Sequence, residues 1–259
     1  WLMATFVTAD WVAERLETPE VLLIDTRFSM RYLMGHLKSA VNVPPPKLRD
    51  AQGKILPPER LADLYSAAGL GDEITPILYD GYDGRNAAMS AWGLEYLGRN
   101  DVHIMDVVFD EWKEQGHEIF YRPVRLEPRQ FSVAINPEVR ADMADVRDTT
   151  DFKLVDARSR EEYSGDADVD EKPGHIPGAV NLVWQELVGR DGRLQASQDE
   201  IQKALDTASI KPSDRVVTYC KIGARASVAY LAMKRLGYDV KLYVESYAEW
   251  ELSGLPVEN

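Results

Sequence analysis

The sequence predicts an α/β protein built from two like domains in tandem, each a mostly parallel sheet flanked by helices on both faces. Two observations lead there. An ordered set of motifs occurs twice along the 259 residues, and within each copy short β-branched apolar runs alternate with helical patterns, the signature of parallel strands joined by helical crossovers.

The repeat is legible by eye. Residues 21–43 read VLLIDTRFSMRYLMGHLKSAVNV, and residues 154–183 read LVDARSREEYSGDADVDEKPGHIPGAVNLV. Both carry an apolar run, Asp-x-Arg (Asp25 and Arg27; Asp156 and Arg158), a tyrosine (Tyr32; Tyr163), Gly-His-apolar (Gly35 to Leu37; Gly174 to Ile176) and Ala-Val-Asn (Ala40 to Asn42; Ala179 to Asn181). The second copy holds extra residues between Tyr163 and Gly174, rich in Asp and Gly, which read as an inserted surface loop. Further on, Pro76–Asp80 faces Val216–Cys220, and each is followed five residues later by an arginine, Arg85 and Arg225. An Ala-rich stretch, Leu-Gly, an apolar run and Glu-Trp (Glu111-Trp112; Glu249-Trp250) complete both copies.

Strands are expected at Leu22–Ile24, Ile77–Tyr79, His103–Met105, Leu154–Val155, Val216–Tyr219 and Lys241–Val244. Helices are expected at Ala9–Leu16, Pro58–Ala68, Arg85–Leu97, Pro137–Ala144, Glu200–Ala208 and Ala224–Leu236. Thr8, Ser197 with Glu200, and Pro137 after Asn136 supply helix-start signals. Residues 1–122 and 135–259 read as the two domains, with the proline-containing segment 123–134 as linker.

Composition narrows the function classes. With 45% hydrophobic residues the chain can build proper cores, and a net charge of −13 argues against nucleic acid as partner. No apolar run approaches the roughly 20 residues that span a bilayer, so the chain reads as soluble and cytoplasmic. It reads as a monomer too, since duplicated halves can pack on each other. The start, Trp1-Leu2-Met3, shows no basic-then-apolar leader and reads as trimmed or tagged. One cysteine and four scattered histidines leave neither a disulfide nor a metal cluster to expect, and no cofactor is called for.

The chemistry concentrates at Thr218-Tyr219-Cys220-Lys221-Ile222-Gly223-Ala224-Arg225-Ala226. A buried strand ends there and a helix begins, the place where open parallel sheets collect ligands. Successive backbone N–H groups and the positive helix end face the turn. A free cysteine is often only a small buried hydrophobe. This position, with Lys221 and Arg225 as cations and Gly223 free to take φ > 0, instead predicts a thiolate in an electropositive pocket.

Cys-x-x-Gly-x-Arg after a strand, the upstream Asp-x-Arg, Gly-His-Ile-Pro-Gly-Ala and the terminal Glu-Trp resemble the tandem-domain rhodaneses over nearly the whole chain. The resemblance implies two rhodanese-like domains, the second alone catalytic, and a sulfurtransferase that takes a sulfane sulfur from thiosulfate or 3-mercaptopyruvate onto a cysteine persulfide. The sulfur then passes to cyanide or a thiol. By it, Cys220 is the nucleophile, and the loop of Lys221, Ile222, Gly223, Ala224 and Arg225 cradles the persulfide. The basic Lys221 resembles the thiosulfate-using branch. Ile222 departs from that branch, whose best-studied members have a second basic residue there, and Glu162 stands where some members carry a substrate-binding arginine.

Arg158 reads two ways, as a holder of the donor anion or as a structural partner of a carboxylate, the latter supported by its counterpart Arg27. Asp156, His175, Trp112 and Trp250 read as fold-building residues. Asp80 stands where the second copy has Cys220, so the first domain is expected to be silent. Two other classes stay open: a persulfide relay that serves a protein acceptor, and a phosphatase, although the four residues between Cys220 and Arg225 are one fewer than a phosphoryl cradle needs.

Overall fold

The computed structural model describes residues 4–148 and 150–259, so the expectation about the chain start lies outside the described residues. The chain divides into two compact units, one running to Asn136 and including Gly189–Gln195, the other Pro137–Val188 with Ala196–Asn259.

In the first unit β1 (Thr5–Val7), α1 (Ala9–Ala13), β2 (Val21–Asp25), α2 (Ser29–Leu33) and β3 (Val41–Asn42) are followed by α3 (Pro58–Ala67) and β4 (Thr75–Tyr79). Then come α4 (Arg85–Tyr96), β5 (His103–Met105) and α5 (Phe109–Glu114). The second unit repeats the series as β6 (Arg140–Ala141), α6 (Met143–Arg147), β7 (Lys153–Asp156), α7 (Arg160–Ser164), β8 (Val180–Asn181), α8 (Gln198–Thr207), β9 (Arg215–Tyr219), α9 (Ala224–Arg235), β10 (Asp239–Tyr243) and α10 (Ser246–Leu252). Each sheet has five parallel strands, in the order β1-β5-β4-β2-β3 and β6-β10-β9-β7-β8.

Because side chains alternate along a strand, each sheet feeds two cores. Val217 and Tyr219 point from β9 into a cluster with Val146, Tyr243, Tyr247 and Trp250, the side covered by α6 and α10. Leu23, Ile77 and Met105 do the same in the first unit, with Val12 and Trp112. Buried faces of α8 and α9, such as Ile201 and Leu205 or Val228 and Leu231, serve the other layer of the second unit.

The repeated motif now has a physical reading. The Asp-x-Arg aspartate ends its strand and holds the arginine, and the arginine reaches the Gly carbonyl of Gly-His (Arg27 to Gly35 O, 2.6 Å; Arg158 to Gly174 O, 2.7 Å). The tyrosine hydroxyl donates to the Ala carbonyl (Tyr32 to Ala40, 2.8 Å; Tyr163 to Ala179, 2.7 Å) and its ring stacks on the histidine. The asparagine amide ties the strand end together (Asn42 to Asp25 O and Arg27 O; Asn181 to Asp156 O and Arg158 O). These buried polar groups satisfy one another, as burial requires.

The expected helix at Pro137–Ala144 is not formed. Pro137–Val139 make one 3-10 turn, β6 pairs with β10, and α6 starts afresh at the Asp142–Asp145 capping box. Val139 and Ala141 are buried with Arg140 between them, a strand alternation too short to outweigh the Asn-Pro helix signal. The caps at Thr8 and Ser197 form as expected, although α1 ends at Ala13.

Candidate active site

Cys220 directly follows β9, and Lys221–Gly223 form the turn into α9. Gly223 caps the helix at φ 88°, and a Cβ there would lie 2.6 Å from the Val244 carbonyl oxygen, so only glycine fits. The Gly223 N–H donates to Cys220 Sγ at 3.1 Å. The cysteine backbone is pinned from α10: its N–H donates to Ser246 Oγ at 3.2 Å, and its carbonyl accepts from Tyr247 N at 2.9 Å. Ser246 itself sits in the left-handed region at φ 59°, with its hydroxyl donating to Tyr243 O. Cys220 is 0% exposed, whereas Ile222, two residues on in the turn, is 49% exposed.

The charges around the thiol are more evenly balanced than the sequence suggests. The Arg225 guanidinium interacts with Cys220, and its two terminal nitrogens also donate to Glu162 at 2.5 and 2.8 Å. Burial opposes charge on Glu162, yet the Arg225 hydrogen bonds outweigh it and hold the carboxyl down at about 2. The Lys221 ammonium donates to Asp170 at 2.7 Å and to Glu251. Burial works against that cation, but the two carboxylates raise its pKa. In place of bare positive charge the site holds internal ion pairs, because α7, the inserted loop and α10 deliver carboxylates that the linear sequence does not place beside Cys220.

Arg158 is fully buried. Nε and one terminal nitrogen fork onto Asp156 (3.0 and 2.7 Å), while the other terminal nitrogen donates to Asp170 at 2.7 Å. Its guanidinium lies 4.0 Å from the Tyr247 ring centroid. Arg27 repeats this with Asp25 and, at 3.7 Å, the Phe109 ring. Of its two readings, the geometry fits the structural one: protein acceptors and an aromatic face enclose Arg158. Ala224 opens α9, and Ile222 presents its side chain to solvent.

The inserted loop is likewise more than a solvated excursion. Asp170 bridges Arg158 and Lys221, and the Tyr247 hydroxyl donates to Lys172 O at 2.6 Å. Sequence reasoning alone does not single out Asp170, Glu251, Ser246 or Tyr247. The one available signal is that the insertion occurs only in the copy with the cysteine.

In the first unit Asp80 fills the equivalent turn, accepting from the N–H groups of Gly81 (2.7 Å), Asn86 (2.9 Å) and Ala87 (3.2 Å). Burial pushes its carboxyl up against the pull of those amides. The turn is one residue longer, since Gly84 caps α4 four residues after Asp80 while Gly223 caps α9 three after Cys220. Counted from the helix, the counterpart of Arg225 is Asn86, whose amide reaches Asp80 at 3.2 Å. Arg85 instead pairs with Asp83.

Among known proteins, the rhodanese-like domain family model matches twice, over residues 8–115 and 139–253. The chain is 31% identical to a thiosulfate sulfurtransferase of Azotobacter vinelandii, covering 91% of this chain and 90% of that protein. It is 30% identical to the sulfur carrier protein TtuD of Thermus thermophilus, covering 97% and 95%. The crystal structure of SseA from Escherichia coli, described as a 3-mercaptopyruvate sulfotransferase, is similar with a TM-score of 0.83 and 27% identity, covering 95% of this chain and 99% of that one. The chain belongs to the rhodanese family, carries two such domains, and is a sulfurtransferase of that family.

Proposed function

We propose that the protein moves a sulfane sulfur from thiosulfate to a thiophilic acceptor, cyanide or a thiol, through a persulfide on Cys220. The observation that carries this reading is the Gly223 N–H aimed at Sγ where strand meets helix, with Arg225 beside it. That set stabilises negative charge on sulfur, both before attack and on the persulfide.

In the first step the Cys220 thiolate attacks the outer sulfur of thiosulfate. A Cys220 S–S bond forms, the bond to the sulfonyl sulfur breaks, and sulfite leaves with the electron pair. In the second, cyanide attacks the terminal persulfide sulfur, thiocyanate leaves, and the thiolate is restored. Charge balances in each step without an outside oxidant. Asp80 is a poor sulfur carrier, so the first domain is read as silent. The short turn of Lys221–Gly223 before α9 supports a sulfur cradle over a phosphoryl one.

A second reading differs only in the acceptor. The Thermus relative bears the name sulfur carrier, which favours delivery to a protein thiol after the same loading step. The test is thiocyanate release from thiosulfate and cyanide by the wild type and by Cys220→Ser. The proposal expects turnover in the first and none in the second. Equal release by both, or a wild type that uses 3-mercaptopyruvate far better than thiosulfate, contradicts the covalent step or the donor respectively.

A further inference from the structure

The carboxylates around Cys220 carry an inference about donor choice, which rests on the sulfur-transfer reading above. Three cations (Arg158, Lys221 and Arg225) face four carboxylates: Asp156, Glu162, Asp170 and Glu251. Of these pairs, that of Arg225 involves a cation that also interacts with the thiol. Glu162 is oriented for this contact by a capping box. It is the third residue of the α7 capping box, with its N–H donating to Ser159 Oγ at 3.2 Å and its Oε2 accepting from Ser159 N at 3.1 Å. The same helix position in the first unit, one residue before the repeated tyrosine, is Arg31. The carboxylate is thus specific to the copy with the cysteine.

We propose that Glu162 is a specificity-determining residue: by occupying both terminal nitrogens of Arg225 it biases Cys220 toward sulfur donors of low charge, such as organic persulfides, and against dianionic ones such as thiosulfate. A dianion approaching Sγ meets an arginine already neutralised and a fixed negative charge behind it. A singly charged or neutral donor is repelled less. Thiosulfate remains a substrate, with Glu162 raising its KM.

The test compares wild type with Glu162→Gln, which can still accept from Ser159 N. Steady-state rates are measured with thiosulfate, a dianion, and with an aromatic thiosulfonate, a monoanion, both delivering sulfur to cyanide. The ratio of kcat/KM for thiosulfate to that for thiosulfonate is expected to rise about tenfold in the variant, mainly through KM, from loss of one nearby charge in a partly screened site. A purely structural role for Glu162 would lower both rates together.

An independent readout uses the protein's single cysteine. The ratio of alkylation rates by iodoacetate, an anion, and by iodoacetamide, its neutral analogue, should also rise in Glu162→Gln. An inert wild type in the sulfur assay would undo the transfer reading and leave the alkylation ratio to decide the charge filter. Turnover with unchanged ratios in both measurements overturns the filter alone. A thiol that neither reagent reaches, in a protein inert in the sulfur assay, overturns both.

Discussion

Replacing Gly223 with alanine should damage stability and sulfur loading together, and the structure sets the size of each effect. An alanine at φ 88° meets the left-handed penalty, about 1–2 kcal/mol. Its Cβ would also sit 2.6 Å from a backbone carbonyl oxygen, that of Val244, where relief requires backbone movement costing about 1–3 kcal/mol more. Gly237 supplies the control. It has φ 82° and open space for 4 Å around the place a Cβ would take, so Gly237→Ala carries the left-handed penalty without the collision. The two variants should differ by about 2 kcal/mol, which at this chain length is roughly 4–8 °C in melting temperature by circular dichroism.

Loading adds a second number. Moving the Gly223 N–H off Sγ removes a hydrogen bond to a charged group, worth about 1.5–3 kcal/mol. The rate of persulfide formation should therefore fall roughly tenfold to a hundredfold in Gly223→Ala and stay unchanged in Gly237→Ala. If Gly223→Ala melts with the control and loads sulfur at the wild-type rate, the account of the turn is wrong.

Three further outcomes follow from the ion pairs. Arg158→Leu leaves Asp156 buried without its cation and Asp170 with Lys221 alone, and should cost about 3–5 kcal/mol in urea unfolding, with no rescue by Arg158→Lys, since one ammonium cannot span Asp156, Asp170 and Gly174 O; an unchanged midpoint contradicts this. Glu162 has its folded pKa lowered from 4.5 to about 2, so its contribution is fully present above about pH 4.5 and is lost as pH falls through 2. Acid unfolding followed across that window should be shallower in Glu162→Gln, and identical acid profiles would count against the pair. Asp170→Ala should free the inserted loop, read as faster proteolytic cleavage within residues 164–173, whereas wild-type resistance would show that the bridge to Lys221 and Arg158 does not hold it.

Repetition made the fold legible. Asp-x-Arg, Gly-His and Ala-Val-Asn recur because each residue satisfies a buried partner in the other's reach, so the motif is a written record of one hydrogen-bond network. The two-residue strands β3 and β8 are not legible in the sequence, because pairing at a sheet edge is decided by tertiary neighbours and leaves no period to read. Pro137 misled for a related reason: its helix-start signal is local, while the pairing of β6 with β10 spans about a hundred residues of sequence.

At the site, the turn from Cys220 to Arg225 was visible because its parts are contiguous. Its counter-charges were not, because Glu162, Asp170 and Glu251 come from α7, the inserted loop and α10. Equal spacing also paired Arg85 with Arg225, and only the helix caps reveal the one-residue offset. Ser246 could not be read at all, since its left-handed backbone serves a contact with Cys220 N that exists only once β10 and α10 are folded.

The most direct measurement is the intact mass of the protein after thiosulfate treatment and removal of excess donor, followed by peptide mapping. Loading predicts a gain of one sulfur atom on the peptide containing Cys220, reversed by cyanide with release of thiocyanate. A mass that stays unchanged, or sulfur that is retained when cyanide is added, would contradict a persulfide carried on this thiol.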